Sequence, residues 1–255
     1  MGRIFGTDGV RGLANVDVTP EFALDCGRAI VWVMLDEGHQ RPSVIVGCDP
    51  RWSSPMLVAA LSAGIASAGG DIIDLGVMPT PAVAHLTTTL GHDAGVMVSA
   101  SHNPMPDNGI KFFGRDGFKL TDAEEERLEA VLSGDLGDGP RPTGTDVGSL
   151  RDGRHLVAGW VDHLVATGGD LSGLKVVVDA ANGSASTVAP EVYERLGAQV
   201  VAIHGAPDGT NINAGCGSTH PQDLCRAVLE NGAVVGDANV GAVLKHCTTQ
   251  VLGVG

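Results

Sequence analysis

Positive charge and aromatic rings are what this chain has least of. Sixteen lysines and arginines stand against thirty aspartates and glutamates, a formal net charge of −14. So acidic a chain repels phosphodiester backbones and anionic lipid heads, which argues against DNA, RNA or an anionic membrane as a main partner. Small phosphates stay within reach, because a local nest of backbone N–H groups overrides a global field. Aromatic residues make up only 4% of the chain, so its core has to be built from Val, Ala, Leu and Ile; hydrophobic residues at 43% suffice for one. Cys-x-x-Cys pairs are lacking as well. The five cysteines (Cys26, Cys48, Cys216, Cys225, Cys247) are odd in number and scattered, as reduced thiols in the cytosol are. The N-terminal MGRIFGTDGVRG has no apolar stretch of signal-peptide length, and no run reaches the length of a membrane helix. A cytoplasmic protein is expected, with a homo-oligomer left open.

What is present alternates between two periods. Thr19, Pro20 and Glu21 have the chemistry of an N-cap, a first helical position and a dipole-compensating acid, and apolar residues recur from Phe22 to Met34 before Gly38. SVIVG (43–47) is β-branched and uninterrupted, as strands buried on both faces are. A helix over 53–68, a strand over 71–75, a helix near 82–90 and a strand over 94–98 are expected to follow. GIKFF (109–113) and GFKL (117–120) suggest a hairpin around Arg115 and Asp116. Thr121 to Glu124 has capping-box spacing and opens a helix to about Leu132. Ser133 to Thr145 is rich in Gly, Pro and Asp and has no apolar face, as in a linker. Beyond it come a helix (155–166), a strand (174–178), a turn (180–186), a helix (187–196) and a strand (199–203). VIVGCDP with its helix and DIIDL is echoed by VVVDAANG with its helix and QVVAI, which suggests related α/β domains on either side of the linker. The boundaries expected are 1–135, a linker over 136–152, and 153–255.

One segment ends a strand oddly. VSASHNP (98–104) drops from an apolar run into two serines, a histidine and an asparagine, then a proline. Neither the Gly-x-Ser-x-Gly elbow nor a P-loop is found, so acyl transfer and nucleotide-type phosphate binding are not favoured. A loop hydroxyl at Ser101 beside an imidazole and an amide, with Lys111 close behind, suits phosphoryl transfer, where positioning and charge neutralisation do most of the work. The competing reading is a hydrogen-bonded turn ahead of Pro104. Arg51, in the Asp49-Pro50-Arg51 turn, reads as a structural anchor, Cys48 as a core residue, and Cys216 with His220 as a structural turn because no other ligand has zinc-like spacing.

FGTDGVRG (5–12), SASHNP (99–104) and DNGIK (107–111), in that order and at those separations, resemble the α-D-phosphohexomutase superfamily. DAANG (179–183), GTNIN (209–213) and CGSTHP (216–221) resemble its phosphoglucosamine mutase branch, over nearly the whole chain up to about Ala233. The resemblance implies two related α/β domains with mixed sheets flanked by helices, the second truncated. It implies that Ser101 is carried as a phosphoserine, is a ligand of Mg²⁺, and exchanges its phosphoryl group with a sugar through a bisphosphate. Glucosamine 6-phosphate and glucosamine 1-phosphate would be interconverted. His102, Lys111 and Arg11 would act at the transferring group, and Thr7 and Asn103 would bind phosphate. Phosphoglucomutase or phosphomannomutase specificity, or a non-catalytic fragment that binds a partner or phosphosugar, are the alternatives.

The chain departs from that family after Ala233. The Asp-Gly-Asp-Ala-Asp-Arg loop that holds Mg²⁺ through three carboxylates is not found. GDAN (236–239) keeps Asp237 alone as a candidate metal ligand, or else the tail from 234 is unrelated sequence such as a shifted reading frame, the reading favoured. Two dianionic phosphates about 8 Å apart repel by roughly 8 kcal/mol at an effective dielectric of about 20. Without that loop or the family's remaining domains, the chain is expected to be inactive or nearly so as a mutase.

Overall fold

The computed structural model describes residues 4–6, 9–135 and 139–238. The described residues up to Ala100 and from Pro106 to Val157 make one compact unit; Ser101–Met105 and those from Ala158 onward make a second. Within the stretch expected as a linker, Leu150–Asp152 form a strand of the first unit's sheet.

That unit is a mixed six-stranded sheet built from β1 (Val10–Leu13), β2 (Ser43–Cys48), β3 (Asp71–Val77), β4 (Ala94–Val98), β5 (Asp107–Gly114) and β6 (Leu150–Asp152). The order is β1-β5-β4-β2-β3-β6, with β4, β2, β3 and β6 parallel and β5 antiparallel to both β4 and β1. Its helices are α1 (Pro20–Asp36), α2 (Ser54–Ser67), α3 (Thr80–Leu90) and α4 (Asp122–Leu132). Helix starts follow the local chemistry: Thr19 Oγ1 accepts from Phe22 N, and Thr121 with Glu124 closes a full capping box. Side chains alternate across each strand. Val44, Val46, Val96 and Val98 meet α1, α2 and α4 in one core, while Gly47 and Gly95 present the opposite face to Val83 and Thr87 of α3. The α1–α2 pair packs closely because Gly27 and Gly64 face the partner helix's backbone; a Cβ on either would strike Leu61 O or Leu24 O.

The expected hairpin is half there. β5 is a strand, but 117–120 makes only an isolated bridge, Phe113 to Lys119. β4 takes one edge of β5 over 110–114 and β1 takes the other over 107–110, which leaves only 111–114 beside β1 for another arm, and there Phe113 meets Lys119. β1 itself, four residues around a glycine, carries too short a pattern to read from sequence.

The second unit has α5 (Val157–Thr167), β7 (Lys175–Asp179), α6 (Val188–Arg195), β8 (Gln199–Ile203), α7 (Gln222–Asn231) and β9 (Val235–Asp237). Its three described strands are all parallel, in the order β8-β7-β9. Val176 and Val178 pack on Tyr193 and Leu171, and Val177 on Leu224 and Ala227, so β7 is buried on both faces. Residues 235–237, at the start of the divergent tail, thus pair with 176–178. The repeated pattern corresponds to two like units, β2-α2-β3 and β7-α6-β8, each placing its two parallel strands side by side.

Candidate active site

The order of the first sheet creates a switch point. β2 is followed through α2 by β3 on one side, and β3 through α3 by β4 on the other. Ligands of open α/β sheets bind outside the carboxyl ends of the strands at such a point. Here those ends are Cys48-Asp49 and Val98-Ser99, and the Ser101 loop follows directly.

A buried polar network occupies the switch point. Asp49 Oδ2 accepts from Ser99 Oγ at 2.6 Å and from Arg51 Nε at 2.9 Å, and its Oδ1 accepts from Arg51 N and Ser54 Oγ, each at 3.1 Å. Arg51 is fully buried and donates from Nη1 to Asp107 O at 3.0 Å. Asn108 Nδ2 donates to Ser53 and Ser54 Oγ. Ser99 is two residues before Ser101, and Asp107 opens the strand that follows the loop. One carboxylate and one guanidinium therefore tie both stems of the loop to the end of β2. A buried ion pair is tolerated only when its remaining donors and acceptors are satisfied, and here backbone and hydroxyl groups satisfy them. Arg51 is the structural anchor expected of it. Burial pushes the Cys48 thiol up to about 12, with the Asp49 and Asp74 carboxylates adding to it, so it is a core residue rather than a nucleophile.

Ser101 adopts φ 54°, in the left-handed region where a non-glycine residue is held at a cost. It is half-buried, whereas His102 is exposed. Within the second unit, Asn213 Nδ2 donates to the carbonyls of Ser101 (2.8 Å) and Asn103 (3.1 Å). Asn213 is itself left-handed, at φ 58°. A single carboxamide thus grips the loop at two places. Asn213 closes the GTNIN motif, but its partner lies 112 positions away, which no local spacing signals.

Arg11 and Lys111 come together on the sheet. Arg11 pairs with Gly109, and Lys111 is two residues along β5 from that glycine, so both side chains belong to one face as diagonal neighbours. A Cβ on Gly109 would meet Arg11 Cγ, so that glycine leaves the space the arginine stem uses. Lys111 Nζ lies 5.5 Å from the Phe113 ring centroid. Thr7 lies outside the described residues, as does Asp8. Their flanks are held: Glu129 Oε1 accepts from Ile4 N and Phe5 N, Phe5 packs edge-on against Phe112, and Gly6 and Gly9 exchange backbone hydrogen bonds.

The residues present do not fit the Mg²⁺ site that the resemblance implies. Asp237 is the one carboxylate of that set among the described residues, and its Oδ2 accepts from the Tyr193 phenol at 2.9 Å. A hard dication needs several oxygens together. The group of potential metal ligands that the described residues do bring together is a different one, Asp179, His204 and Cys216, whose ligand atoms lie within 4.8 Å of one another. Cys216 groups with these two, and His220 is exposed with its Nδ1 3.1 Å from Thr219 Oγ1. No sequence spacing signals this trio, since Asp179 ends β7, His204 follows β8 and Cys216 is in the loop before α7.

Comparison with known proteins agrees with the motifs and the topology. A family model for the phosphoglucomutase/phosphomannomutase alpha/beta/alpha domain I matches residues 2–135. The phosphoglucosamine mutase of Symbiobacterium thermophilum is 55% identical over 242 residues, covering 94% of this chain and 54% of its own length. That of Streptomyces coelicolor is 53% identical over 247 residues, covering 94% and 55%. A crystal structure of a phosphoglucomutase/phosphomannomutase family protein from Burkholderia thailandensis matches with a TM-score of 0.77 at 27% identity, over 92% of this chain and 51% of that one. The chain spans about half the length of the curated relatives it matches. On the domain model, the relatives and the matching fold together, this chain belongs to the phosphoglucomutase/phosphomannomutase family.

Proposed function

We propose that this chain is the phosphoryl-carrying part of a phosphosugar mutase, with Ser101 Oγ as the atom that holds the phosphate. The observation that carries the reading is the left-handed Ser101, on a loop whose stems are tied to a buried ion pair at a switch point. Strain at a polar loop residue, held by so many bonds around it, is what a preorganised reacting group requires. Relatives at 50–55% identity are named phosphoglucosamine mutase, which favours glucosamine phosphate as the sugar.

The reaction then runs as two transfers. The Oγ–P bond of phosphoserine 101 breaks as the C1 hydroxyl oxygen of glucosamine 6-phosphate bonds to phosphorus, and that hydroxyl gives up its proton. The bisphosphate turns end for end. Its 6-phosphoryl group then passes to Ser101 Oγ, leaving glucosamine 1-phosphate. Lys111 and Arg11 supply positive charge toward the transferring oxygens, the ammonium as a point charge and the guanidinium as a fork. Lys111 is also the group to take up the hydroxyl proton, His102 is beside the transferring phosphoryl, and Thr7 and Asn103 hold phosphate oxygens.

The test is intact-mass analysis of the natural chain after incubation with glucosamine 1,6-bisphosphate. One added phosphoryl group, mapped to Ser101 and absent in Ser101→Ala, is expected. Phosphate on another residue, or none under conditions where the chain is folded, would reject the assignment. A coupled assay for glucosamine 1-phosphate then asks whether the transfers complete a turnover.

A further inference from the structure

Two loops of the second unit converge on the end of β7. Asp179 is the last residue of β7, His204 directly follows β8, and Cys216 is in the loop that leads toward α7. Asp179 and Cys216 are buried, whereas the His204 side chain keeps 26% of its exposure. One Asp179 oxygen lies 3.0 Å from His204 Nδ1. The other accepts from Gly217 N at 2.9 Å, so the residue after Cys216 is fastened to the same carboxylate. Gly215 and Gly217, both left-handed at φ 68° and 74°, turn the backbone sharply on either side of Cys216.

His204 has a second carboxylate behind it. Its Nε2 lies 3.4 Å from Asp223 Oδ2. With Asp223 at one ring nitrogen and Asp179 at the other, the imidazole has the arrangement of the carboxylate–histidine–metal relay that orients ligating histidines, and Cys216 brings a sulfur to the same group. We infer that Asp179, His204 and Cys216 form a site for a borderline transition-metal dication of the Zn²⁺ class, oriented by Asp223.

The donor set selects that class. One sulfur, one nitrogen and one carboxylate oxygen suit Zn²⁺ or Co²⁺ and are poorly matched to Mg²⁺, which takes oxygens. Three protein ligands leave a tetrahedral ion one open position. Binding replaces the S–H bond of Cys216 by a metal–sulfur bond and releases one proton to solvent. The ion would cross-tie the ends of β7 and β8 and the Cys216 loop. This site stands or falls independently of Ser101.

The test uses the natural chain, stripped of metal with a chelator and titrated with Co²⁺. One equivalent should produce a near-ultraviolet sulfur-to-cobalt charge-transfer band and the intense visible bands of a tetrahedral ion, and Zn²⁺ should bleach both. Cys216→Ser should lose the charge-transfer band, and Cys225→Ser should keep it. Asp223→Asn should weaken Co²⁺ binding about 10- to 100-fold while keeping the spectrum, as loss of an orienting partner does. Thermal unfolding should shift upward with Zn²⁺ in the natural chain and remain unmoved in Cys216→Ser. Absence of the band in the folded natural chain, or its persistence in Cys216→Ser, would overturn the inference. In the first case the trio is only a hydrogen-bonded anchor for its segments; in the second the metal is bound by another cysteine. Retention of native circular dichroism by His204→Gln together with loss of the spectrum would separate ligation from folding in the same direction.

Discussion

The Oγ of Ser99 donates to Asp49 Oδ2 at 2.6 Å, across a sequence gap of 50 residues, and the same oxygen accepts from Arg51 Nε at 2.9 Å. Arg51 in turn donates to Asp107 O. The two stems of the Ser101 loop are thereby fastened by one buried carboxylate–guanidinium pair. Were that pair only structural packing, its loss would cost stability alone; if it aligns the loop, phosphoryl chemistry at Ser101 goes with it.

Removing one partner of the pair leaves an uncompensated buried charge. Arg51→Met is expected to lower unfolding free energy by about 3–5 kcal/mol. Urea denaturation measures it. The double variant Arg51→Met, Asp49→Asn should recover part of that loss, since the stranded charge is gone. At a temperature where the double variant is folded, its phosphoryl uptake at Ser101 should still be reduced.

Ser101 offers a separation of stability from function. Its left-handed backbone disfavours any Cβ by roughly 1–2 kcal/mol, and glycine escapes that penalty at the expense of a more flexible unfolded chain. Ser101→Gly is therefore expected to be more stable than Ser101→Ala by about 1 kcal/mol, with neither able to take up phosphate. Equal stabilities would mean that the loop relaxes out of the left-handed conformation once the hydroxyl is removed.

Asn213 can be tested without disturbing its own backbone. Because φ is 58° there, Asn213→Gly removes the carboxamide while keeping the conformation. Loss of its two donated bonds should cost about 1–2 kcal/mol. Asn213→Asp sets a carboxylate against two carbonyl oxygens and should be worse. Both should slow phosphoryl uptake several-fold, measured by intact mass against time. Unchanged rates in the glycine variant would remove Asn213 from the positioning role.

A pH dependence follows from Arg41 and Asp71. The Arg41 guanidinium holds the Asp71 carboxyl well below the usual carboxylate range, despite partial burial, and Ser149 N and Oγ add hydrogen bonds. A depressed folded-state value contributes stability above the unfolded value near 4 and loses it as pH falls toward the folded value. Arg41→Ala should thus have a lower urea midpoint than the natural chain at pH 7, and the gap should narrow below about pH 4. A gap that stays constant down to pH 2 would assign the effect to lost packing of the arginine stem instead.

The chain itself determined whatever depends on neighbours in sequence. The capping box at Thr121, the N-cap at Thr19 with Pro20 behind it, the continuous β-branched runs of β2, β4, β7 and β8, and the Ser-His-Asn-Pro segment after β4 are all local, and all are where the pattern puts them. Arg51 was legible as an anchor because it shares a tight turn with Asp49. Tertiary structure alone decided which distant groups meet. Strand order put Asp49 beside Ser99 and Arg11 diagonal to Lys111, β1 and β4 left 117–120 a single bridge on β5, and folding brought Asp179 at the end of β7 together with His204 and Cys216. Such contacts leave no periodic trace, since spacing along the backbone carries information only over the few residues of a helical turn, a capping motif or a hairpin.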